Sequence, residues 1–84
     1  MNGRGSSVYP VDLSVESADR QGLLRDISEV FAREKINVIG VKSQSRRNIA
    51  YMQFTVEVSS AAQIQRACTL LGEVQGVIRA ARRA

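Results

Sequence analysis

The chain has 84 residues, 44% of them apolar, and carries a formal net charge of +4 with a pI near 10.0. That length suits a single domain, which buries only about 60–65% of the surface its unfolded chain exposes, so the core is thin. No His is present and Cys68 is the single cysteine, which excludes an internal disulfide and argues against His-based acid–base chemistry and Cys/His metal sites.

Residues 1–7 (MNGRGSS) are rich in Gly and Ser and predict a flexible linker, leaving 8–84 as the folded domain. The N-terminus carries no apolar signal segment, and no run approaches the ~18 apolar residues of a membrane span. A cytoplasmic location is expected. From 8 to 16 the pattern alternates, with Val11, Leu13 and Val15 on one side and Asp12, Ser14 and Glu16 on the other, which predicts a half-buried strand opening near Pro10. A polar loop, Ser17 to Gln21, follows. Leu23, Leu24, Ile27, Val30 and Phe31 then recur at helical spacing, predicting a helix from Gly22 to about Lys35 with Asp19 as candidate N-cap. Residues 36–46 (INVIGVKSQSR) are β-branched and too short for a further helix, so they read as a strand. Arg47-Asn48 makes a tight turn. In the strand from Ile49 to Val58, Ala50, Met52, Phe54, Val56 and Val58 share one face, opposite Ile49, Tyr51, Gln53, Thr55 and Glu57. Ser60 and Gln63 match a capping box, and Ile64, Ala67, Cys68, Leu71 and Val74 form a second helical stripe ended by Gly76. Residues 77–82 form a short last strand.

The order βαββαβ, with one apolar stripe per helix, requires both helices to cover the same face of a four-stranded sheet. Right-handed crossovers make this an α+β, ferredoxin-like sandwich with an antiparallel sheet of order 4-1-3-2. That topology places Asp19-Arg20 and Arg46-Arg47 at one end of the sheet, and Arg82 and Arg83 at the other. The second sheet face has no cover. Ile49 and Tyr51 lie on it, joined by either Ile39 and Val41 or Val38 and Gly40 from the second strand, which is also an edge. Ile39, Val41, Ile49 and Tyr51 are therefore the candidate interface residues for pairing with a second copy through the sheet face or the strand edge.

The eight carboxylates are spread over strands and helices, so catalysis in this chain is not expected, nor is a metal or cofactor. Ten of the twelve cations are Arg, which suits bidentate contact with carboxylate or phosphate. Arg46, Arg47, Arg79, Arg82 and Arg83 are the candidate RNA contacts, set against the plainer reading of a solvated basic surface. Stacking on bases has little support, because Tyr51 is the one aromatic expected on the open face. The loop before the first helix offers another chemistry. Unsatisfied amides at a helix start favour an anion, and Gly22 permits close approach. A carboxylate such as that of a free amino acid could dock there, with Asn37 of a second copy assisting; the alternative is a glycine that only serves the turn.

The run Tyr9-Pro10-Val11-Asp12-Leu13, followed by Asp19-Arg20-Gln21-Gly22-Leu23-Leu24-Arg25-Asp26-Ile27, resembles the ACT domain that ends the long RelA/SpoT-type proteins. Ile36-Asn37-Val38, Arg47-Asn48-Ile49-Ala50 and Gly76-Val77-Ile78 continue the likeness in order, so that it covers residues 8–83. The resemblance implies a regulatory segment of a guanosine tetraphosphate synthetase/hydrolase (a GTP pyrophosphokinase) in the stringent response, with the catalytic domains lying N-terminal to it. It implies sensing of amino-acid supply or ribosome state, pairing of domains, and a small molecule held between them. Carried over to this sequence, the ligand-binding positions are Asp19, Arg20, Gly22, Leu23, Leu24 and Asn37. Leu23, Leu24 and Val38 would favour a branched aliphatic amino acid. A docking module for ribosomal RNA or ribosomal protein, without a small-molecule ligand, is the rival expectation.

Overall fold

Alternation carries the first strand further than the sequence pattern suggests, because Ser17 continues the buried parity of Val11, Leu13 and Val15. In a computed structural model, which describes residues 7–83, the elements are β1 (Tyr9–Ala18), α1 (Leu23–Arg33), β2 (Asn37–Arg46), β3 (Ile49–Val58), α2 (Ala61–Gly72) and β4 (Val77–Arg82). The sheet is antiparallel throughout with order β2-β3-β1-β4, which is 4-1-3-2 read from the other edge. The expected linker lies, apart from Ser7, outside the described residues.

One core joins the helices to the central strands. Leu23, Ile27, Val30 and Phe31 of α1 and Ile64, Ala67 and Leu71 of α2 pack over Val11, Leu13 and Val15 of β1 and the even-numbered apolar residues of β3. The rings of Phe31 and Phe54 meet at 5.2 Å between centroids with a 58° tilt, an aromatic pair at the centre of this layer. Cys68 packs at the edge of the core, as its spacing suggests, and burial pushes its thiol above the ordinary value. That shift keeps the thiol protonated and makes it a poor nucleophile.

The turn chemistry agrees with the sequence in two places. Arg47 and Asn48 both take left-handed φ values, 54° and 66°, as a two-residue hairpin between twisted strands requires. Ser60 caps α2 by accepting from the Gln63 amide at 3.2 Å, while the Gln63 side chain returns to the Ser59 amide at 2.8 Å. This is a capping box displaced by one residue on its return arm.

Elsewhere the structure corrects the pattern. Ser17 belongs to β1 because both neighbours pair with it, Ala50 on β3 and Val77 on β4; it is fully buried, and its Oγ donates to the Ala18 carbonyl at 3.0 Å. Asp19 is not the cap of α1. Gly22 holds that position at φ 80° with no side-chain cap bond. Helix α2 ends at Gly72, four residues before Gly76, which instead serves the turn into β4 at φ 93°. Val74 misled the pattern because it packs on the core from the turn after the helix.

Both edge strands carry a bulge. The β2–β3 register passes from Val38↔Val56 to Gly40↔Thr55, leaving Ile39 without a partner. On β4, Val77 faces Ser17 and Arg79 faces Glu16, leaving Ile78 as the extra residue. The two bulge isoleucines are 52% and 63% exposed. The bulge splits the expected pairing of Ile39 with Val41, because an extra residue reverses the parity of everything after it. Val41 stands opposite Phe54 and therefore faces the helix side, while Gly40, Lys42 and Gln44 face the open side with Tyr51. Arg82 and Arg83 do not reach the far end of the sheet either. Arg82 pairs with Leu13, in the middle of β1, and the Arg83 amide donates to the Asp12 carbonyl at 2.8 Å, because β4 is shorter than β1.

Candidate functional site

The segment Asp19–Gly22 leaves the sheet and turns directly into α1. The Asp19 amide donates to the Asn48 carbonyl at 2.9 Å, which fastens this loop to the β2–β3 hairpin and places Asp19-Arg20 beside Arg46-Arg47, as the topology predicts. Only the positive φ at Gly22 lets the chain enter the helix so abruptly, and the cost of that entry is a helix start without a side-chain cap. The Leu23 amide points back to the Arg20 carbonyl at 3.4 Å, and the Asp26 amide closes the first turn on Gly22 at 3.0 Å. Among the described residues the Leu24 and Arg25 amides have no protein acceptor. They face outward at the positive end of the helix dipole, which suits a carboxylate or other small anion.

Arg20 dominates the neighbourhood, in a role the sequence does not reveal. Its Nε donates to the Gln75 carbonyl at 2.7 Å, one terminal nitrogen donates to the Gln21 carbonyl at 3.0 Å, and the other pairs with Asp26 Oδ2 at 2.7 Å. The guanidinium is thus committed within the chain, with 26% of the side chain exposed. Arg25, 79% exposed and 3.7 Å from Asp26, is the more available cation. Of the other positions expected to touch a ligand, Asp19, Gly22 and Leu24 are exposed, whereas Leu23 is buried in the core. Asn37 lies at the opposite end of the sheet and donates to Glu57 Oε1 at 2.9 Å. Glu57 pairs with Pro10, whereas the first loop begins after Ala18; those eight residues span about 27 Å at the usual rise of a strand. Asn37 can therefore join this site only from a second copy.

The hydrogen bond from Arg20 holds the Asp26 carboxyl below its ordinary value of 3.8, with the charges of Arg20 and Arg25 adding to the effect against partial desolvation. A lowered folded-state pKa contributes stability that is complete above the unfolded value and is lost as pH falls through the folded one. An NMR titration of the side-chain carboxyl should therefore give a midpoint under 3.8, and Arg20→Ala should bring it back up to the ordinary range. An unchanged midpoint would mean that the pair does not form in solution.

The candidate interface and RNA positions fall into separate groups. Ile49 and Tyr51 occupy the open face near the hairpin, Ile39 protrudes at the β2 bulge, and Val41 is exposed on the helix side of the same edge. Around Tyr51 the open face holds a shallow depression of about 290 Å3 whose lining mixes apolar surface with polar side chains, among them Ser14, Glu16, Lys42, Gln44 and Gln53. Arg46 and Arg47 sit at the hairpin, while Arg79, Arg82 and Arg83 lie along β4 on the far edge, where Arg79 faces Glu16. Among the described residues there is no grouping of three or more His, Cys, Asp or Glu able to hold a metal ion, and no helix long and apolar enough to cross a membrane. The residues that sequence reasoning missed are Gln75 and Gly76. Their turn closes one side of the first loop, with the Ala18 amide donating to the Gly76 carbonyl at 2.8 Å. The glycine before the last strand was the available signal, and the helical spacing of Val74 concealed it.

Comparison with known proteins places this geometry. The family model described as the ACT domain matches residues 5–82. The chain is 38% identical over 79 residues to the GTP pyrophosphokinase of Escherichia coli K12, covering 92% of this chain and 11% of that protein. It is 32% identical over 73 residues to the bifunctional (p)ppGpp synthase/hydrolase RelA of Mycobacterium tuberculosis, covering 86% of this chain and 10% of that protein. Among solved structures, the ACT domain from the GTP pyrophosphokinase of Chlorobium tepidum aligns with a TM-score of 0.81 at 17% identity, over 92% of this chain and all of that one, a likeness of fold. The chain thus spans about a tenth of the length of the curated relatives it matches. The family match runs nearly end to end, and the βαββαβ order is the one the resemblance implied, so this chain belongs to the ACT domain family.

Proposed function

We propose that this chain is the regulatory segment of a larger GTP pyrophosphokinase, that it pairs with a second copy, and that it takes the carboxylate of a free amino acid at the start of α1. The uncapped helix start carries this reading: two amides without a protein acceptor among the described residues, beside an exposed Leu24 and an available Arg25. Leu24, 48% exposed, offers apolar contact to a branched aliphatic side chain. Membership of the ACT family and 38% identity to a GTP pyrophosphokinase support the regulatory role in the stringent response. The chain would act by binding its effector better in one state of the parent protein than in another, since a ligand without such a difference shifts nothing.

The burial of Leu23 and the internal commitment of Arg20 narrow the ligand contacts to backbone amides, Leu24 and Arg25 from one copy, with Asn37 from the other. Titration of the isotopically labelled chain with valine, leucine and isoleucine should shift the Leu24 and Arg25 amide resonances at millimolar ligand or below, in a sample shown by sedimentation to be dimeric. A dimer whose resonances stay fixed would overturn amino-acid sensing and leave pairing alone. A monomer that binds would overturn the shared site.

A further inference from the structure

Among the described residues, the turn between α2 and β4 takes its long-range hydrogen bonds from a single place. Within the turn the hydrogen bonds are local: Glu73 to Leu70, Val74 to Leu71 and Val77 to Val74. Its two long-range bonds are Ala18 amide to Gly76 carbonyl and Arg20 Nε to Gln75 carbonyl, both from the end of β1. Arg20 is itself anchored on the first turn of α1 through Asp26, at 2.7 Å. Each of its three guanidinium nitrogens serves a different segment: the Gln75 carbonyl, the loop carbonyl of Gln21 and the helix carboxylate. Immediately after the turn comes the β4 bulge with its exposed Ile78.

We infer that Arg20 is a latch that couples the start of α1 to the α2–β4 turn, so that displacing either one loosens the other. The opening element is the stretch 73–78, which the two bonds above tie to the first loop, beside the pairing of Val77 with Ser17 and the packing of Val74 and Val77 on the core. Asp26 sets where the guanidinium sits, and the guanidinium sets where Gln75 sits. A group that competes for Asp26 or shifts the helix start would therefore be felt at the β4 edge, and a partner bound at that edge would be felt at the helix start, because coupling between two sites is reciprocal. This inference goes beyond the proposed function and stands whether or not the domain binds an amino acid. The contrary view is that the Arg20–Asp26 pair is a surface ion pair of little consequence.

Amide hydrogen exchange on the 84-residue chain separates the two, in the wild type and in Arg20→Ala, Arg20→Lys and Asp26→Ala. Arg20→Ala should raise exchange at the Ala18 and Val77 amides by about ten-fold relative to β3 amides such as that of Val56, the loss expected for a bond to a charged donor. Asp26→Ala should give the same local pattern at smaller amplitude, although Asp26 makes no hydrogen bond to the turn among the described residues. Arg20→Lys keeps the charge but cannot reach three segments, and should fall between wild type and alanine. The latch is overturned if Asp26→Ala leaves Ala18 and Val77 at wild-type exchange, if lysine matches wild type, or if all amides rise together in every variant. Should Arg20→Ala fail to fold, the other two variants decide by the same criteria.

Discussion

Phe54→Ala should remove about 3–5 kcal/mol of stability, the usual cost of truncating a buried aromatic. Phe54 is 1% exposed, lies on the central strand β3, and meets Phe31 of α1 at 5.2 Å, so its loss opens a cavity between sheet and helix where neither can close it. A domain of this length has a total stability on the order of 4–13 kcal/mol at 0.05–0.15 kcal/mol per residue. At the low end of that range the variant should be close to unfolded; throughout it the melting temperature should fall by at least about 12 °C, and urea denaturation followed by circular dichroism would measure the loss. Tyr51→Ala is the matched control. It removes an aromatic from the same strand, three residues before Phe54 and on the opposite face, where Tyr51 is 42% exposed. Its effect on the monomer should stay within about 0.5 kcal/mol. Equal losses in the two variants would show that the assignment of faces along β3 is wrong.

That parity was legible in the sequence, and the reason is physical. Strands β1 and β3 are central, paired on both sides and covered by helices on one face only, so each residue is either fully inside or partly outside and the alternation is strict. The hairpin was legible too, because Arg47-Asn48 ends a polar stretch directly before the apolar alternation of β3, and Asn tolerates the positive φ such a turn needs. Edge strands give less. Whether Ile39 faces in or out depends on where β2 gains a residue relative to β3, and a bulge is a relation between two strands that one strand's sequence does not contain. The same holds for the candidate site. The helix start and its glycine could be read from Asp19–Ile27, but the partner that fixes Arg20 is the Gln75 carbonyl, 55 residues away, and a backbone carbonyl leaves no mark on residue type. The resemblance to ACT domains singled out the loop and gave Arg20 a place among the ligand contacts, and the structure shows that guanidinium bonded to three groups of its own chain.

Two glycines with the same backbone sign should answer differently to alanine. Gly22 and Gly76 both adopt left-handed φ values, 80° and 93°, and each substitution carries a backbone penalty of about 1–2 kcal/mol. At Gly22 an added Cβ would meet nothing nearer than the tips of Arg20 and Arg25, at 3.8 and 4.0 Å, so the penalty is backbone strain alone. At Gly76 the same atom would come within 3.4 Å of both Arg20 Nε and the buried Ser17 Oγ. Neither neighbour is free to retreat. Arg20 Nε is held on Gln75 at 2.7 Å, and Ser17 lies fully buried in β1 between Ala50 and Val77. Gly76→Ala should therefore cost about 2–3 kcal/mol, more than Gly22→Ala, since contact at the near limit of ordinary packing adds to the strain. Measured by urea midpoints, the excess should shrink when Arg20 is also alanine, because part of the close contact is with its side chain; a double-mutant cycle reads that coupling directly. If the two glycines cost the same and the cycle shows no coupling, the α2–β4 turn does not press on Arg20, and the contact between the first loop and the last strand is looser than the structure places it.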